Sequence, residues 1–172
     1  MLSFDVRTLA VRAVAVDGGL ELDDDVWVPG DVKPDSKLHV SGRLSVAGNG
    51  RYYFSGRFEG RMTLDCRRCL IPVVVTVAEE VTAVFFDTLG AGPDGLNDPD
   101  VYALPEGGKK VDLGPAIREE WLLNVPSFAL CRDDCRGICP TCGADLNVGT
   151  CSCVPAPDRR WNALRATRSQ AD

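Results

Sequence analysis

A chain of 172 residues, 45% hydrophobic and 26% charged, can bury one substantial core with a small appended module, and this composition excludes a fibrous or largely disordered protein. A formal net charge of −6 and a pI near 4.8 exclude a general polyanion binder, because nonspecific nucleic-acid affinity comes mostly from neutralised phosphates. The longest apolar stretch, residues 73–77, is interrupted by Thr76 and falls far short of the ~20 residues that a membrane-spanning helix requires.

The first residues, MLSFDVRTLAVRAV, interpose Asp5, Arg7 and Arg12 where an export signal needs a continuous apolar run, so a cytoplasmic location is expected. Leu38, Val40, Leu44 and Val46 alternate with polar residues and predict a strand with one buried face. Ala47-Gly48-Asn49-Gly50 then supplies the positive-φ residues of a hairpin turn. Over residues 52–66 the period of two is clearest: Tyr52, Phe54, Phe58, Met62, Leu64 and Cys66 fall on one face and Tyr53, Ser55, Arg57, Glu59 and Arg61 on the other. These two segments should pair antiparallel. Residues 71–86, rich in valine, threonine and phenylalanine, suit a further long strand buried on parts of both faces. Cys66 and Cys69 thus occupy a strand-to-strand turn.

Residues 87–110 carry too many glycines, prolines and acids for regular structure and predict an exposed, mobile loop. A helix is expected from Asp112, which can cap, through Pro115 in the first turn to Asn124, with Leu113, Ile117 and Trp121 packed on the sheet. A last short helix, residues 158–168, would bury Trp161 and Leu164 and expose Arg160, Arg165 and Arg168. The expected class is α+β: an antiparallel β-sheet or partly open barrel with one packed helix and a C-terminal cysteine-rich zinc-knuckle module. Residues 1–111 would form the β domain, with the Cys66/Cys69 turn and the acidic loop, and residues 112–172 the helix, knuckle segment and last helix.

Six of the eight cysteines lie in CRDDCRGICPTCGADLNVGTCSC, residues 131–153. Cytosolic thiols stay reduced and available to metals, which favours ligation over a disulfide framework. Zn²⁺ takes four ligands tetrahedrally, and two cysteines separated by two residues can bind it from one tight turn. Cys139-Pro-Thr-Cys142 has that form, followed by Gly143 where the chain must turn sharply. Eight thiols provide for one or two structural Zn²⁺ ions. The simplest division sets Cys139 and Cys142 with Cys151 and Cys153, leaving Cys66 and Cys69 for Cys131 and Cys135; spacing equally permits Cys135 to join Cys139 and Cys142. A catalytic zinc commonly includes His or Glu and keeps an open position, so cysteine-only surroundings imply closed, structural sites. His39 is the only histidine, on a predicted strand with no nucleophile arrangement around it, which argues against a hydrolase. The rival chemistry is thiol–disulfide exchange at Cys66-Arg67-Arg68-Cys69, where two guanidiniums would favour a thiolate. Its strand-to-strand setting differs from the strand-to-helix setting of thioredoxin-like pairs.

PSFALCRDDCRGICPTCGADLNVGTCSC, preceded by DLGPAIREEWLLNVP and followed by PAPDRRWNAL, resembles the YceD family of bacterial and plastid proteins, described as large ribosomal RNA subunit accumulation proteins. LDCRRCLIPV resembles that family's other motif, a Cys-x-x-Cys between strands, and the likeness covers roughly residues 58–165. Many members read Asp-Pro-Arg where this chain has Asp158-Arg159-Arg160. The resemblance implies a cytoplasmic, non-enzymatic accessory factor for accumulation of large-subunit ribosomal RNA. Its expected partner is a ribosomal protein or a large-subunit assembly intermediate, with no membrane and no small-molecule substrate. Local contact with 23S rRNA phosphates would come from Arg67, Arg68, Arg159, Arg160, Arg165 and Arg168. A zinc-dependent regulatory binding module unrelated to ribosomes is the alternative from a different class.

Overall fold

The structure, a computed structural model, describes the chain except residues 1, 49, 87–100, 106–107, 155–157, 159 and 161–172. It divides into two compact units, one of Met1–Leu64 with Val73–Ala129 and one of Asp65–Pro72 with Leu130–Asp172. This division differs from the expected break at residue 112. The 114–124 helix belongs to the first unit, whose core its apolar face completes, and the Cys66/Cys69 turn groups with the C-terminal cysteines.

The elements of the chain are β1 (Ser3–Asp5), α1 (Val6–Val11), β2 (Val14–Leu20), β3 (Leu38–Gly48), β4 (Arg51–Asp65), β5 (Pro72–Phe86), β6 (Val101–Ala103), β7 (Lys110–Asp112) and α2 (Gly114–Asn124). A five-stranded open sheet runs β2-β3-β4-β5-β6, and β1 pairs antiparallel with β7 in a separate two-stranded ribbon. In the antiparallel β3–β4 hairpin Val40 faces Phe58 and Leu44 faces Phe54, so the alternation read from the sequence places these four side chains on one buried face. The turn contains Gly48 and Gly50 at φ +83° and +69°. Val46 departs from its expected burial: the register shifts between Val46 and Gly48, and the valine is exposed.

β1, α1, β2, β6 and β7 are not predicted by the sequence. Asp5 caps α1 by accepting from the Arg7 amide at 2.8 Å. In β2 the alternation is hidden by Gly18-Gly19, yet Val16 and Leu20 reach the core. The predicted 87–110 loop is corrected at its C-terminal end. Val101–Ala103 adds to β5 as a parallel edge strand and Leu104 is buried, while residues 87–100 lie outside the described residues. The helix expected over 158–168 also lies outside them, except for Asp158 and Arg160, which form an ion pair at 2.7 Å.

Helix α2 starts one residue later than a cap at Asp112 would set it, but Asp112 Oδ1 still accepts from the Gly114 amide at 2.9 Å. Trp121 is fully buried, lies edge-on to Phe58 with ring centroids 6.3 Å apart, and donates from Nε1 to the Val32 carbonyl at 2.7 Å. The long 21–37 connection is held at several points. Trp27 donates to the Glu21 carbonyl, Asp35 bonds Arg61 and Thr63, and Asp31 receives Arg118 Nε and Nη2 at 2.6 Å each.

The bidentate bond from Arg118, with the Val28 amide, holds the largely buried Asp31 carboxyl below the ordinary carboxylate range. A depressed folded-state pKa adds stability above the unfolded value of about 3.9 and loses it as pH falls through the folded one. Asp31→Asn is therefore expected to melt below the wild type at pH 7, with the difference in Tm closing below about pH 4. Paired thermal melts across that range check the sign.

Candidate metal centres

The second unit contains two Cys-x-x-Cys turns with the same hydrogen-bond pattern. In one, the Cys66 amide donates to the Ile71 carbonyl at 2.8 Å and the Leu70 amide to the Cys66 carbonyl at 2.9 Å. In the other, the Cys139 amide donates to the Ala144 carbonyl at 2.8 Å and the Gly143 amide to the Cys139 carbonyl at 2.9 Å. The residue after the second cysteine is left-handed in both, Gly143 at φ +74° and Leu70 at +62°. Glycine accepts that conformation freely, whereas leucine is strained by it, and Leu70 is exposed rather than anchored by burial.

Each turn meets two further thiols. Cys66, Cys69, Cys131 and Cys135 form one group and Cys139, Cys142, Cys151 and Cys153 the other, with the sulfurs of each group all within 4.8 Å of one another. Cys66 Sγ lies 3.9 Å from Cys135 Sγ, and Cys69 Sγ lies 3.6 Å from Cys131 Sγ. A disulfide would bring two sulfurs to about 2.05 Å, whereas four thiolates at about 2.3 Å from a shared tetrahedral ion stand roughly 3.8 Å apart. All eight cysteines are free thiols, so both groups match the second geometry. Of the two divisions open to the sequence, the structure has the one that sets Cys135 with Cys66, Cys69 and Cys131.

Electrostatics within the groups favour a cation. Burial opposes ionisation of Cys66, but the amides of Arg68, Cys131 and Cys69 bring its thiol down to about 6. Burial and the neighbouring Cys135, Cys69 and Cys66 push Cys131 up to about 12. In the second group the amides of Cys142 and Thr141 lower Cys139 to about 6, while Cys142, burial and Cys139 push Cys153 up to about 12. One thiolate in each group thus comes at the expense of another, as like charges in one site require. A divalent cation removes that conflict and permits all four to ionise.

The groups differ in exposure. Cys66, Cys69 and Cys135 are buried and Cys131 partly so, whereas only Cys139 is buried in the second group and Cys142 is exposed. Arg68, read from the sequence as a phosphate contact, has its guanidinium on the backbone here: Nη1 donates to the Asp133 and Cys135 carbonyls at 3.0 and 2.9 Å. Its own carbonyl accepts from the Ile138 amide at 3.0 Å, and Gly137, at φ +75°, passes so near that a Cβ there would stand 2.7 Å from that oxygen. Arg67 is exposed, Arg160 pairs with Asp158, and Arg159, Arg165 and Arg168 lie outside the described residues. Sequence reasoning missed Asn147, whose amide lies 3.5 Å from Cys135 Sγ. Its one local signal is the Asp145-Leu146-Asn147 turn, in which Asp145 Oδ1 accepts from the Asn147 amide at 2.8 Å.

An open β-sheet unit and a cysteine-rich unit with two four-thiol groups define a class of small protein that could hold metal ions. The family described as large ribosomal RNA subunit accumulation protein YceD matches residues 54–166, which take in all eight cysteines, and this chain belongs to that family. Among relatives, the large ribosomal RNA subunit accumulation protein YCED homolog 1, chloroplastic, of Zea mays is 35% identical over 72 residues, 40% of this chain and 25% of that protein. The uncharacterized protein YlbN of Bacillus subtilis is 24% identical over 148 residues, 84% of this chain and 81% of its own length. An uncharacterized Mycobacterium tuberculosis protein is 34% identical over 100 residues, 58% of this chain and 47% of its own. The chain therefore spans about a quarter of the maize protein's length and most of the Bacillus one. No solved structure matches.

Proposed function

We propose that this protein is a non-enzymatic accessory factor in accumulation of large-subunit ribosomal RNA, in which two structural Zn²⁺ ions fold the cysteine-rich unit into a docking module. The observation that carries the metal reading is the gathering of all eight thiols into two compact sets of four. Thiolate ligands and tetrahedral spacing suit Zn²⁺, and four cysteines close its coordination sphere, leaving no position for a reacting water. The ribosomal reading rests on the family and on the name of the maize relative. An acidic chain, at net charge −6, is complementary to basic ribosomal proteins, so the partner is a ribosomal protein or an assembly intermediate in the cytoplasm, with rRNA contact local.

The lowered Cys66 thiol supports a second reading, disulfide exchange with Cys69. Tagged full-length protein recovered from cells separates the two, with elemental analysis and thiol counting on the same sample. Two zinc ions per chain together with large-subunit proteins or precursor particles are expected. Zinc-loaded protein that never sediments with large-subunit particles would refute the ribosomal role, and a metal-free chain with Cys66 bridged to Cys69 would establish the redox one. Tight, steeply salt-dependent binding of 23S fragments without any protein would replace the protein partner by RNA.

A further inference from the structure

Asn147 belongs to the loop between Cys142 and Cys151 of one thiol group, yet its side chain acts on the other. Its Oδ1 accepts from the Arg136 amide at 2.7 Å and from Arg132 Nη2 at 2.9 Å. Those donors fix the amide orientation, because the reverse would set N–H against N–H. Nδ2 then points at Asp145 Oδ1, 2.8 Å away, and at Cys135 Sγ, 3.5 Å away. With all the hydrogen-bonding capacity of the amide used, the sulfur at its end must accept, and a metal-bound thiolate is the form of cysteine that accepts best.

The backbone supports the same connection. The Leu146 amide donates to the Gly137 carbonyl at 2.9 Å, Ile138 and Asp145 form an antiparallel bridge, and the Ile138 amide donates to the Arg68 carbonyl at 3.0 Å. The first group's Cys-x-x-Cys turn, the Gly137–Ile138 segment and the 143–150 loop are therefore hydrogen-bonded in series. That loop is short, exposed for most of its length, and bracketed by Cys142 and Cys151, so closure of the second group would restrain both of its ends in addition to these hydrogen bonds.

We infer that Asn147 is a positioning residue through which the Cys139/Cys142/Cys151/Cys153 group raises the metal affinity of the Cys66/Cys69/Cys131/Cys135 group, making the two one coupled pair. This rests on the metal reading above. An ion in the second group holds the loop, the loop presents Nδ2 to Cys135, and the N–H···S bond orients that thiolate and spreads its charge. Hydrogen bonds to metal ligands of this kind are worth about 10–100-fold in affinity. Coupling between binding sites is reciprocal, so an ion in the first group strengthens the second by the same factor.

The test is a double-mutant cycle on the full-length chain with Zn²⁺ alone in competition with a chromophoric chelator. Asn147→Asp keeps both accepted bonds and removes both donated ones, and Cys142→Ser/Cys153→Ser disables the second group. Each is expected to weaken Zn²⁺ binding at the first group about 10–100-fold, and the two combined no further than either alone. Cadmium NMR of Asn147→Asp should shift the resonance of the first group, a change that loss of general stability does not produce. Asn147→Ala, which adds no charge beside Asp145, should give the same result. Wild-type affinity at the first group in both Asn147 variants, or fully multiplicative effects in the cycle, would overturn the coupling while two bound ions still upheld the metal reading. A wild-type chain that takes up no metal would remove the metal reading and the coupling with it.

Discussion

Chelation of metal from the full-length protein is expected to unfold residues 65–72 and the segment from 130 onward as a unit, leaving the sheet in place. The reason is the distribution of buried apolar side chains. The core cluster, from Leu2 to Trp121, draws every one of its buried members from the first unit. In the second unit the buried residues among those described are Cys66, Cys69, Cys135, Gly137 and Cys139, so its interior is sulfur and backbone rather than hydrocarbon. Without a cation those thiols oppose one another's ionisation, and among the described residues of this unit no aliphatic side chain is buried. A structural Zn²⁺ supplies about 10–16 kcal/mol of apparent binding free energy, as much as the ~5–15 kcal/mol that holds a typical domain together. Hydrogen exchange with and without a strong chelator reads the result. Protection should vanish at Ile138, Cys139, Gly143 and Leu146 and persist in β3 and β4. Cys66→Ser should partly reproduce this in metal-replete protein, since it removes a thiol two of whose three partners, Cys131 and Cys135, lie more than sixty residues away in the chain. Protection from residue 130 onward that survives metal removal would exclude structural zinc.

The features legible in the sequence were those carried by local periodicity or by residue chemistry. The β3–β4 hairpin alternates strictly because one face is buried and the other wet, and α2 announces itself through Leu113, Ile117 and Trp121 at four-residue spacing. The division of the cysteines was less accessible. Spacing alone left Cys135 between two groups, and what decides is the approach of the Cys66 turn to residues 131–135, a contact across more than sixty residues. Short elements that owe their existence to a partner escaped altogether. Three-residue β6 has no periodicity of its own and is defined by its parallel pairing with β5, as β7 is by β1. The same blindness concealed Asn147, whose role depends on a sulfur twelve residues earlier, and it turned Arg68 from a supposed phosphate contact into a backbone brace. The cysteine pattern pointed to two sets of metal-ligating thiols, but the order in which hydrogen bonds connect the two halves of the second unit exists only in three dimensions.

In the first unit the largest single effect is expected at Trp121. Trp121→Ala should cost about 3–5 kcal/mol, the range for emptying a large aromatic site that cannot fully collapse. Three observations set it at the upper end of core substitutions: the side chain is fully buried, its edge-to-face contact with Phe58 is lost, and the Val32 carbonyl loses the indole donor. Trp121→Phe keeps most of the ring volume and removes the N–H, so its cost should be smaller, about 0.5–1.5 kcal/mol, the net worth of one hydrogen bond to the exposed Val32. Gly60 provides the internal control. A Cβ on Gly60 would stand 2.6 Å from Leu38 Cδ1 and 2.7 Å from Trp121 Cζ3, so Gly60→Ala in the wild-type background displaces both side chains and should cost roughly 1–3 kcal/mol. In the Trp121→Ala background the indole no longer opposes the methyl, and Leu38 can shift into the space it has left, so that cost should fall. Urea denaturation of the two single variants and the double variant, read at the midpoint with the slope held constant, measures the coupling. Additive costs would mean that Leu38 or the Gly60 backbone, rather than the room given to Trp121, requires glycine at this position.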